Sequence, residues 1–157
     1  MEFAVIGIGQ SLRGDDAAGL AAVRLWQEQY PQTASRVQGE LCELPGLGLL
    51  DLLDGLQAVI LVDALHAPDA PGTLYRLGPD ELAAFTADTQ SAHGWSVAET
   101  LFLGRSLYPE VAKCRITLIG IVGGQFILGS GLSPAVKDAL DAAAVLIEKE
   151  VQALLDG

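Results

Sequence analysis

Three stretches of the chain are apolar with hardly a break: Phe3–Ile8, Ala58–Ala64 and Arg115–Val122. A strand with one face in water alternates polar and apolar residues. A run that does not alternate must be covered on both faces, as in a parallel sheet sandwiched between helices. Segments of helical composition lie between these runs. Ala17–Tyr30 is closed by Pro31, Leu47–Leu56 follows the Pro45-Gly46 break, and Trp95–Leu107 has Pro109 just beyond it. Ser133 as N-cap and Pro134 at the first helical position open a last helix to about Leu155. Arg36–Leu44 and Thr73–Leu77 read as further strands and Pro79–Phe85 as a turn or two of helix. Thr86–Gly94 and Gly123–Gly131 read as loops. Alternating strands and helices predict an α/β fold: a three-layer α/β/α sandwich around a mostly parallel, about five-stranded twisted sheet. With 157 residues and no repeat, linker or low-complexity stretch, the expectation is one domain over residues 1–157.

Charge narrows the partners. Twenty Asp and Glu against nine Lys and Arg give a net charge of −11, and the cations are scattered. That disfavours nucleic acid and anionic membrane surfaces, both of which need clustered cations. No apolar run approaches the about 20 residues that span a bilayer. Met1-Glu2 does not open like a signal peptide. Cys42 and Cys114 read as buried core thiols in a reducing compartment. The expectation is a cytoplasmic monomer that binds neither nucleic acid nor membrane.

In open parallel sheets, chemistry gathers beyond the carboxyl ends of the strands. After the first strand the chain reads Gly7-Ile8-Gly9-Gln10-Ser11-Leu12-Arg13-Gly14-Asp15-Asp16. A dinucleotide loop would need glycine at position 12, and two acids at the helix start would repel a phosphate. Nucleotide binding is therefore disfavoured. One of the two acids suits a helix cap; a second exceeds what a cap needs. Asp63 ends the apolar Val59-Ile60-Leu61-Val62, where a carboxylate must be paired, hydrogen-bonded or coordinating. His93 lies in the loop before the Trp95 helix, while His66 reads as a structural or merely exposed histidine. Asp16, Asp63 and His93 together would suit a divalent transition ion and leave positions for water and substrate. Spacing alone leaves such a site open, because no compact metal-binding motif is present. A phospho-receiver signalling module would also place acids at these strand ends. It would need a Lys at the end of a late buried strand, where this chain has Gly120-Ile121-Val122-Gly123-Gly124.

The chain resembles the hydrogenase maturation endopeptidases on four motifs in order. They are Gly7–Gly19 with its acidic pair, Val59–Ala64 ending in Asp-Ala, Ser91-Ala92-His93-Gly94, and Gly131-Leu132-Ser133-Pro134-Ala135-Val136. Three positions depart from the pattern. Gln10 stands where Asn is usual, Ala17 where many members have Gly, and Glu43–Gly48 where an Asp and a Gly-Thr pair are common. The resemblance implies a phosphorylase/hydrolase-like sandwich and a specific activity. Such an enzyme clips the C-terminal extension from the large-subunit precursor of a nickel–iron hydrogenase after nickel insertion. It further implies that Asp16, Asp63 and His93 meet the metal and serve as the catalytic set. The nickel would be carried by the precursor, with no tightly bound cofactor in the protease. Which group activates water stays open. Asp15 is expected to be a cap that positions Asp16.

Overall fold

The computed structural model describes residues 2–43, 47–83, 90–91 and 113–157. The three apolar runs form strands β1 (Phe3–Ile8), β3 (Ala58–His66) and β6 (Arg115–Val122). They lie side by side and parallel, with β1 against β3 and β3 against β6. Strand β2 (Gln38–Cys42) adds parallel to β1, and β4 (Leu74–Leu77) closes the other edge antiparallel to β6. The order is β2-β1-β3-β6-β4, the mostly parallel five-strand sheet that the sequence predicts.

Alternate residues of the central strands point to opposite faces, and each face is covered. Ile6, Ile8, Val59, Leu61, Ile116 and Leu118 share one core with Leu49 and Leu50 of α3 (Leu47–Leu52), Leu53 and Leu82 of α4 (Pro79–Ala83). Val5, Ile60, Val62, Ile119 and Ile121 share the other with α1 (Ala18–Gln29) and α5 (Pro134–Asp156). This double burial is why these strands show no polar alternation. Cys42 and Cys114 are buried in the first core, as expected. The helices of the second face are stitched together at Glu148. Its carboxylate accepts from Trp26 Nε1 of α1 at 3.0 Å and from Thr33 Oγ1 of the short α2 (Pro31–Ala34) at 2.9 Å.

Several boundaries differ from the sequence reading. Pro31 closes α1 but also starts α2, because proline suits a first helical position. A 3-10 turn over Gly14–Ala17 takes the place of the first helical turn. Strand β3 runs two residues past Ala64, and Gln90–Ser91 forms a short strand β5 where a loop reads more naturally. β5 pairs antiparallel with Leu65 and His66. Leu65 already has Val122 of β6 on one side, so β5 adds on the side that β1 vacates when it ends. Two residues are too few to show a period in the sequence. The helix expected over Trp95–Leu107 lies outside the described residues.

Leu61 is fully buried at the centre of the sheet. Leu61→Ala is expected to cost about 3 kcal/mol, through lost burial and an incompletely collapsed cavity. Denaturant unfolding should show the midpoint fall with little change in slope.

Candidate active site

Leaving β1, the chain goes to β2 on one side; β3 lies on the other. The carboxyl ends of β1 and β3 therefore flank the crevice where open α/β sheets bind their ligands. Two glycines let the chain fold tightly there. A Cβ on Gly9 would stand 1.9 Å from the Asp16 carbonyl oxygen. A Cβ on Gly19 would stand 2.2 Å from the Val62 carbonyl oxygen and 2.7 Å from that of Ile8. Only glycine permits such approaches. The start of α1 is thereby pressed onto the ends of β1 and β3. The turn bearing Asp16 packs against β3, which bears Asp63.

Both carboxylates are fully buried. Asp16 Oδ2 accepts the Gln10 backbone N–H at 3.0 Å. The contact uses the backbone, so a Gln at position 10 keeps it whatever its side chain does. The next residue, Ser11, donates its N–H to Glu43 Oε1 at 2.9 Å, tying this loop to the end of β2. That bond holds the exposed Glu43 carboxyl below its ordinary value.

Asp15 overturns its expected role. The 3-10 turn has no side-chain cap. The Asp15 carboxylate instead crosses to the loop after β6. Its Oδ2 accepts from Gly124 N–H at 2.8 Å, Gln125 N–H at 3.1 Å and Ser133 Oγ–H at 2.8 Å. Its Oδ1 accepts from Ser133 N–H at 2.7 Å. Ser133 sits at the N-cap of α5, but its hydroxyl serves Asp15 rather than the helix. Burial alone would raise the Asp15 pKa. The bonds from Ser133, Gly124 and Gln125 outweigh it and hold the carboxyl below its ordinary value. The sequence offered Ser133 only as a cap. Its partner lies 118 residues away, a separation that no local pattern reports.

His93 lies outside the described residues. The described chain reaches the carboxyl edge at Ser91, paired with Leu65. His66 ends β3 with its ring stacked on Phe126, centroids 4.0 Å apart and planes 35° apart. It stands on the α1–α5 face of the sheet, opposite to the face of Asp63 by strand alternation. Among the described residues, no three His, Cys, Asp or Glu side chains gather as a metal site. The described set is thus the pair Asp16 and Asp63.

Asp15→Ala removes the acceptor of three part-buried backbone N–H donors and is expected to cost about 2 kcal/mol at neutral pH. Native Asp15 holds its proton less readily than the unfolded chain, whose value is near 3.8. Its contribution is therefore complete above that value and is lost as the pH falls below it. Urea melts of both proteins from pH 7 to pH 3 should show the stability gap closing at the acid end.

Known proteins share this fold. The hydrogenase maturation protease family model HycI matches residues 45–150. The hydrogenase 2 maturation protease of Escherichia coli K12 is 28% identical over 98% of this chain and 96% of its own. The solved [NiFe] hydrogenase maturation protease HybD of Thermococcus kodakarensis superposes with a TM-score of 0.76 at 26% identity, over 96% of this chain and 99% of that one. The maturating endopeptidase HybD of Escherichia coli gives 0.74 at 25% identity, over 97% and 93%. The match of more than half the chain to the family model, with the same sandwich in both solved relatives, places the chain in the hydrogenase maturation protease family, as a peptidase.

Proposed function

We propose that this chain removes the C-terminal extension of a nickel-loaded [NiFe]-hydrogenase large-subunit precursor, and that it recognises the nickel carried by that precursor. The observation that supports this reading is the two fully buried carboxylates, Asp16 on the 3-10 turn after β1 and Asp63 on β3, against which that turn packs. Burying a carboxylate costs free energy, and burying two on elements packed together compounds that cost. A cation that arrives with the substrate offsets it. Two carboxylate oxygen donors with the imidazole of His93 form a donor set suited to a divalent transition ion.

In this reading each residue has a part. Asp16, oriented by the Gln10 N–H, and Asp63, fixed by its strand, offer oxygen donors to the precursor's nickel. His93 supplies the third donor. Docking the ion there brings the adjoining peptide bond into the crevice. A divalent ion beside that bond can polarise its carbonyl and lower the pKa of an attacking water. The protease holds no tightly bound metal of its own, and it acts as a monomer in the cytoplasm without nucleic acid or membrane. Among the described residues no helix is long and apolar enough to cross a membrane.

Incubation of the pure protein with nickel-loaded and nickel-free precursor, read by the mass of the released peptide, tests this. Cleavage is expected with nickel only. Asp16→Ala, Asp63→Asn and His93→Ala should each slow it by about 100-fold or more, with unfolding temperatures close to that of the parent. Full cleavage by His93→Ala would remove that residue from the site. A stoichiometric ion in the purified protease, found by elemental analysis, would replace the substrate-borne metal with a resident one.

A further inference from the structure

The loops around the crevice expose large aliphatic side chains. Leu12 is 70% exposed, Ile127 65% and Leu128 70%. Leu12 belongs to the loop after β1; Ile127 and Leu128 belong to the loop after β6. Their backbones are joined: Gly129 N–H donates to Leu12 O at 2.7 Å, and Gly14 N–H donates to Ser130 O at 3.0 Å. The Asp15 carboxylate clamps the same two loops a few residues further on. The three side chains therefore ride on a braced frame. In an exposed position they cost hydration free energy, and such patches mark interaction surfaces.

We propose that Leu12, Ile127 and Leu128 dock an apolar segment of the precursor polypeptide beside the two buried carboxylates. This rests on the proposed function. Three observations choose the occupant. The loop of Leu12 is the one whose Gln10 N–H holds Asp16, so the patch is continuous with the site. Leu12 precedes Asp16 by four residues, which bounds their separation at about 14 Å. A chain seated on Leu12 is thus within reach of the crevice. The chain carries a net charge of −11, yet these tips are aliphatic, which suits an apolar segment and not a charged one. A second copy of this chain would bring a further net charge of −11 to these tips, which disfavours it as the occupant.

Leu12→Ser and the double variant Ile127→Ser, Leu128→Ser change exposed side chains, so both should fold, as circular dichroism and thermal unfolding would verify. Processing of nickel-loaded precursor should show KM raised about 10-fold or more, with kcat within about twofold. Leu12→Met keeps an apolar tip and should keep the parent's KM. Direct binding of precursor to each protein gives the same comparison without turnover. Unchanged KM and Kd in the Ser variants would overturn the dock. So would sedimentation showing that the parent self-associates through these residues while its KM matches that of the variants. A parent that binds precursor tightly but never cleaves it would overturn the proposed function and leave the dock to be judged on Kd. A parent that neither binds nor cleaves it would overturn both.

Discussion

One buried carboxylate holds the business end of this molecule together. Asp15 accepts two backbone N–H groups from the loop after β6, and both the N–H and the hydroxyl of Ser133 at the start of α5. The loops after β1 and β6 belong to strands separated by β3, so no ladder hydrogen bond joins them. The Asp15 carboxylate bridges that gap together with the loop-to-loop backbone bonds from Gly129 N–H to Leu12 O and from Gly14 N–H to Ser130 O, and it fixes where α5 begins. Charged acceptors bond more strongly than neutral ones, and here three of the four donors are part-buried backbone N–H groups. The clamp repays its own desolvation, which is why its carboxyl stays below the ordinary value although burial pushes the other way.

Two adjacent acids thus divide the work by direction. Asp15 turns toward β6 and stabilises; Asp16 turns toward the β1 loop and the crevice. The Asp16 turn sits close against the ends of β1 and β3 because of Gly9 and Gly19, where any side chain would strike the Asp16 or Val62 carbonyl. The stable half of the pair keeps the costly half in place. Proteins tolerate strain and buried charge at functional sites when the surroundings over-determine the geometry. Here the over-determination is visible as ties on three sides: Gln10 to Asp16, Ser11 to Glu43, and Asp15 to the far loop.

Much of this fold was legible in the sequence for a physical reason. Strands buried on both faces show no alternation, so Phe3–Ile8, the Ala58 strand and Arg115–Val122 announce a covered parallel sheet. Asp63 was legible as an anomaly, a charge at the end of an apolar run. What stayed hidden was tertiary. β5 exists only because β1 ends early and leaves an edge of β3 to be paired. The cap expected of Asp15 obeys a sound local rule, but the rule cannot see a serine 118 residues away that offers better donors. By local rules the acidic pair is one cap and one surplus acid. The structure keeps the count and changes the partner.

The resulting edge presents two unlike features within one braced frame: buried carboxylates and exposed aliphatic tips. A carboxylate and imidazole set alone discriminates poorly, since affinity for divalent ions follows the metal more than the site. An aliphatic patch alone is equally unselective. Joined at a fixed distance, two weak contacts add their free energies for a partner that offers both, and nothing comparable for a partner that offers one. In the proposed reading, that partner is a polypeptide already loaded with its ion. The loop clamp at Asp15 then matters twice, because it sets the spacing between the two contacts, and the selectivity is only as sharp as that spacing is rigid.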